Sequence, residues 1–223
     1  MMKRFFALLI FVLTLNASQA QSDSVYVEVG MNAMRLVTLG WNNNTQPNPD
    51  IWNPYLFSLE VGVKKVGVRM GASRFSHSHS ELPVPVNGNL RFDNDSARTD
   101  FRIGLFYNYS PDDKWSFKFG VDYYMAQTEL SSKTDFKEHT TNNHIVQEFN
   151  ATLKESGFAP FINAQYHITP RVSVGTELLW RIGTFTENQL ATDTASPVDV
   201  ERKYEGKKNY MIPPTALFLT MRF

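Results

Sequence analysis

Three groups of residues in this 223-residue chain have types and spacing suited to chemistry. His77 and His79, in the run FSHSHSE, are two apart, so on an extended segment they share a face that Glu81 continues. Such a trio suits a divalent cation, but a solvated polar loop root is the plainer reading, and neither a metal site nor a cofactor is assigned. His79, Ser80 and Glu81 also supply the residue types of an acyl-transfer site. Neighbours on a strand point to opposite faces, however, which separates a nucleophile from its base. His139 and His144, beside Glu138 and Glu148, rate no higher as ligands, and His167 reads as a hydrogen-bonding group near a turn. The third group is larger: Glu28, Glu60, Asp100, Asp122 and Glu177 against Arg69, Arg102, Lys118, Arg181 and Arg222. Five negative and five positive side chains can pair inside a narrow interior, where charges persist only when paired and hydrogen-bonded. No catalytic residue is assigned.

These charges are positioned by strands. Apolar residues recur at period two, the strand signature, in eight separate runs. Trp115, Phe117, Phe119, Val121, Tyr123 and Met125 alternate with Ser116, Lys118, Gly120, Asp122 and Tyr124. Runs from Phe101 to Tyr109 and from Val172 to Gly183 alternate likewise, and others begin near Val25, Tyr55, Val66, Phe158 and Met211. Each is about as long as a membrane-spanning strand requires, roughly 9 to 11 residues. The connections alternate in length. Lys64-Lys65, SPDDK and the segment around Thr169-Pro170-Arg171 are short, whereas those near 40–54, 76–98, 128–156 and 185–209 read as long polar loops. Asn87-Gly88 is a hairpin signal that predicts a β-ribbon in the second of these. The pattern predicts an all-β fold: an antiparallel up-and-down transmembrane β-barrel of eight strands, with short periplasmic turns and long extracellular loops.

Composition narrows the function. With 22 Lys+Arg against 22 Asp+Glu there is no basic surplus for nucleic acid. The absence of cysteine removes disulfides, thiolate zinc sites and thiol nucleophiles. Lys3 and Arg4 precede the apolar run FFALLIFVLTL and the small-residue stretch NASQA, so residues 1–20 read as a secretory signal peptide and 21–223 as a single barrel domain.

Alternation alone leaves open which face is inside, so a secreted lipocalin-like carrier of small ligands is the rival. Eight of the 12 glycines fall on the polar face, as expected of a crowded concave side. Aromatics of the apolar face gather at both strand ends: Tyr55, Phe101, Tyr123, Phe158 and Trp180 at one, Tyr109, Trp115, Tyr166 and Phe223 at the other. Two belts match two membrane interfaces. The Gly-x-Trp of lipocalins is missing near the first strand. Pro160 and Pro213-Pro214 interrupt proposed strands and suggest bulges at the outer rim. Strand one breaks parity at Arg35, where it should leave the membrane.

The chain ends with Leu217, Leu219, Met221 and Phe223 alternating with Phe218, Thr220 and Arg222. A terminal phenylalanine closing an amphipathic strand resembles the signal that outer-membrane proteins present to their assembly machinery. With the strand count and loop asymmetry, the chain resembles the small eight-stranded barrels typified by the OmpA transmembrane domain, OmpX and the PorT-like outer-membrane proteins. The resemblance implies an integral protein of the cell outer membrane, in contact with its lipid and lipopolysaccharide and with the assembly machinery during biogenesis. An eight-stranded interior is just wide enough for side chains to fill, so a lumen holding the charged set with Phe106, Phe161, Leu179 and Phe218 is expected to be closed; the expected role is non-enzymatic, through the extracellular loops or as a structural or accessory subunit, with protein partners at the loops. A lipid A-modifying enzyme is the alternative, although the His-x-Ser spacing of the deacylases is not matched; narrow lateral passage of small hydrophobic molecules, as in OmpW-like barrels, is a further one. Asp95-Ser96-Ala97 and Asp193-Thr194-Ala195 resemble O-glycosylation acceptors.

Overall fold

A computed structural model describes residues 25–33, 55–81, 90–137, 144–194, 199–214 and 216–223. The signal peptide, the parity break at Arg35, Asn87-Gly88 and His139 lie outside the described residues. Nine antiparallel strands follow in order: β1 (Val25–Asn32), β2 (Phe57–Val63), β3 (Val66–Glu81), β4 (Leu90–Tyr109), β5 (Trp115–Lys137), β6 (His144–Thr169), β7 (Val172–Asp193), β8 (Val200–Ile212) and β9 (Phe218–Arg222). Each pairs with its sequence neighbour from β1 to β7; β7 then pairs with both β8 and β9, and β9 pairs with β1 to close the ring. The fold is an all-β antiparallel barrel.

The ninth strand comes from a break in the expected eighth. Proline has no N–H to donate, and Pro213-Pro214 separates β8 from β9. β8 enters the ladder at Leu179↔Ile212 and β9 at Gly175↔Phe218, so six steps of the broken strand stand opposite four of β7. The break is not at the rim, as β8 continues past it to Val200. Pro160 makes no bulge either: Phe158↔Ile182 and Phe161↔Leu179 keep one register, and only the intervening pairs drop out.

Side chains close the turn end. Lys64, at φ 56°, occupies the left-handed region between β2 and β3. Asp112 Oδ1 accepts hydrogen bonds from the N–H groups of Lys114 (2.8 Å) and Trp115 (2.7 Å) before β5. Thr169 Oγ1 accepts from the N–H of Val172 (3.0 Å) before β7.

At the other end the expected loops are largely strand. β3–β4, β5–β6 and β7–β8 run on as ribbons through most of 76–98, 128–156 and 185–209. On β5 and β6 the alternation persists with its polarity exchanged. On β5 the outward series ends its apolar part at Met125 and continues as Gln127, Glu129, Ser131 and Lys133, while the inward series becomes Ala126, Thr128 and Leu130. β6 shows the same exchange, and on β4 and β7 the outward series also turns polar, which leaves Thr99, Ser156 and Thr184 as the first polar residues above the outward apolar band.

Below that boundary the wall is apolar outside and packed inside. Leu105 is 67% exposed and its neighbour Phe106 3%. Tyr55 corrects an expectation: placed on the outer face by parity, it is buried inside with Tyr124, Phe161 and Leu179. It precedes β2, so ladder parity does not govern it.

Candidate functional site: the charged lumen

Strand pairing fixes which side chains meet inside. Directly opposed residues share a face, so Glu28↔Glu60↔Arg69↔Gly104↔Asp122 is one inward row across β1 to β5. Glycines admit the rings that separate the charges. A Cβ on Gly67 would strike the Phe106 ring, and one on Gly120 would come within 2.6 Å of the Phe161 ring, each ring belonging to the glycine's cross-strand partner.

The charged groups form three connected layers. Nearest the turns, the Lys118 ammonium bonds to Glu28 and to Glu60 (2.5 Å), and Arg222 lies 3.1 Å from Glu28. In the middle, Arg69 grips Asp122 through both Nε (2.8 Å) and a terminal nitrogen (2.5 Å) and also pairs with Glu177. Arg102 pairs with Glu177 at 2.5 Å and Asp122 at 3.4 Å. Two guanidinium groups and two carboxylates thus neutralise one another. The Arg69 guanidinium carbon lies 3.0 Å from the Phe161 ring centroid, within cation–π range. Toward the ribbons, Arg181 donates to Asp100 (3.1 Å), the Tyr55 hydroxyl (2.9 Å) and the Tyr210 hydroxyl (3.2 Å). Asp100 also accepts from Arg98 (2.8 Å).

All ten charged residues read from the sequence therefore face inward, nine of them buried and Arg222 part-exposed at the turn end. Sequence reasoning missed three more. Arg98 lies 3.6 Å from Glu155, which pairs with Lys208 at 2.5 Å. These residues fell in segments read as loops; extending each strand's parity beyond the apolar band, from Asp100 to Arg98, Phe161 to Glu155 and Ile212 to Lys208, is the signal that places them inside. Burial without pairing would be prohibitive, and here each of these charges has an opposite charge within hydrogen-bonding or ion-pair distance.

His77 and His79 stand on β3 opposite Ser96 and Asn94, with Ser80 and Glu81 following. Among the described residues no group of three His, Asp or Glu side chains has metal-binding geometry. His144 begins β6, opposite Lys137, and His167 adjoins a register shift before the β6–β7 turn. Phe223, 58% exposed, extends β9 by a hydrogen bond from its N–H to the Val27 carbonyl (2.9 Å). Of the acceptor-like triplets, Asp95-Ser96-Ala97 is internal to β4, and the Thr194 hydroxyl accepts from the Val146 N–H (2.9 Å).

The ribbon pairs differ in kind. Lys133 donates to Glu148 at 2.7 Å, which raises the lysine above its ordinary range, and Lys203 holds the Glu205 carboxyl below the usual carboxylate range. Both pairs are largely exposed, where solvent leaves them little effect on stability.

The chain is similar to two solved outer-membrane proteins. A major outer membrane protein from Thermus thermophilus is 11% identical, with 90% of this chain and 98% of that one covered and a TM-score of 0.37. CarO from Acinetobacter baumannii is 13% identical, with 90% and 96% covered and a TM-score of 0.36. No family model and no curated protein matches the chain.

Proposed function

We propose that the protein is a non-enzymatic integral β-barrel of the outer membrane, with a lumen closed by its ion-pair layers. It acts through the ribbons or as a structural or accessory subunit of an outer-membrane assembly. The observation that carries this reading is the joint polarity of the wall. Arg69, Lys118, Asp122 and Arg181 are fully buried in the bore while Val66, Leu105, Phe158 and Trp180 are half-exposed or more on the outside. A soluble carrier needs the reverse, with an apolar cavity inside and polar groups in water. An outward apolar band meeting hydrocarbon, flanked by Trp180 and Tyr123 at one end and Trp115 and Tyr109 at the other, suits a bilayer. The paired layers occupy the bore of an eight-stranded ring, which is just wide enough for side chains to fill.

Conductance in a planar bilayer tests the reading. The purified, refolded protein should give no large, stable channels; their appearance would overturn the closed lumen. Chemical cross-linking in the native membrane tests the subunit role: reproducible partners support it, and a protein captured only with itself or alone counts against it.

A further inference from the structure

The polarity boundary on the outer wall carries two cations with no internal use. Arg74↔Thr99↔Gln127↔Lys154↔Thr186 is a single outward row across β3 to β7. It lies immediately above the Phe101↔Met125 pair, at the top of the apolar band. Among the described residues neither Arg74 nor Lys154 has a hydrogen-bond or ion-pair partner. The wall is concave there, forming a groove of about 650 Å³ that has Phe101, Tyr123 and Met125 on its apolar side and this row on its polar side.

Three strand spacings separate the two cations, about 14 Å at the usual inter-strand distance. The residues between them, Thr99 and Gln127, are uncharged hydrogen-bonding groups. We infer that the groove seats an outer-leaflet glycolipid whose sugar headgroup bears phosphate at two points. Arg74 and Lys154 hold the phosphates, Thr99 and Gln127 meet the sugar hydroxyls, and acyl chains run down over Phe101, Tyr123 and Met125. Arg presents a planar fork to a phosphate and Lys a point charge, so both residue types suit the role. The Glu129 carboxylate, which accepts from Gln127 Nε2 at 2.8 Å, stands one pair further from the band on the same face and sets the upper limit of the site. The inference rests on the integral-barrel reading but not on the closed lumen or on any protein partner.

The test is native mass spectrometry of the full chain, folded in detergent and titrated with diphosphoryl lipid A or with the same lipid enzymatically stripped of phosphate. Wild type should retain the diphosphoryl form at least about tenfold better, the scale expected of two basic residues at an anionic headgroup. Arg74→Gln/Lys154→Gln should abolish that preference, each single variant should reduce it, and Glu129→Gln should strengthen it. Lys203→Gln, on β8 away from the groove, should leave it unchanged. Equal retention of the two lipids by wild type, or undiminished preference in the double variant, overturns the site. Heat-modifiable gel migration of every sample separates the outcomes: a variant that keeps its folded mobility but loses the preference identifies the site, whereas wild type without a folded form refutes the barrel reading itself.

Discussion

Removing Arg69 should be among the costliest single changes in the wall, and its contacts supply the reason. Its guanidinium makes two hydrogen bonds to Asp122 and one to Glu177, is fully buried and lies over the Phe161 ring. Arg69→Met preserves much of the volume but leaves both carboxylates with Arg102 as the remaining guanidinium of the middle layer. Breaking a buried pair by deleting one partner costs about 3–5 kcal/mol, because the other charge is stranded. Against a total of about 5–15 kcal/mol for a domain, that is a large fraction. Urea unfolding in detergent micelles, followed by tryptophan fluorescence and by gel mobility, measures the loss. The stringent comparison is the neutral variant Arg69→Met/Asp122→Asn, which keeps one guanidinium opposite one carboxylate. It should recover at least half of what Arg69→Met loses. If the single variant costs less than about 1 kcal/mol, or if the double is no more stable than the single, stranded charge is not what the lumen responds to, and the argument from pairing fails.

Two packing predictions accompany it. Gly120→Ala should destabilise by about 1–3 kcal/mol in the same unfolding assay, since its Cβ meets the Phe161 ring and also the Leu105 carbonyl, a backbone group that cannot rotate away; a neutral effect would mean that the ring–glycine contact is loose. At the β2–β3 turn, Lys64→Gly should be neutral or stabilising by up to about 1 kcal/mol, whereas Lys64→Val should be destabilising, because a β-branched residue fits positive φ poorly. The opposite ranking of the two midpoints would show that the turn relaxes.

Period-two alternation made the fold legible, because a barrel wall separates two solvents and writes that separation into every second residue. The inward rows through Glu60, Arg69, Asp122 and Glu177 follow from parity alone once one strand is oriented. Parity failed in two places for physical reasons. Tyr55 lies just outside the ladder, where a bend and not a pleat aims the side chain. Residues 127–137 and 144–156 kept their alternation but exchanged which face was apolar: Gln127, Glu129 and Lys133 face outward where Tyr123 and Met125 did lower down, and Ala126 and Leu130 take the inward positions. A reading that followed the apolar face lost the strands there and the upper parts of β4 and β8, and with them Arg98, Glu155 and Lys208. Pairing itself was less legible: which carboxylate meets which guanidinium depends on stagger around the ring, and no single strand contains that information.

The middle layer joins residues far apart in the chain: Arg69 and Glu177 are 108 positions apart, Arg102 and Glu177 75. Glu28 from the first strand meets Arg222 from the last only at the seam that closes the ring. Until that seam forms, every partly assembled sheet carries ionised groups on the side destined for the bore, with their counter-charges still elsewhere along the chain. Such a sheet cannot be released into hydrocarbon at tolerable cost. For the integral barrel proposed above, insertion and closure are then one cooperative event with a high contact order, with no stable half-built form in the bilayer.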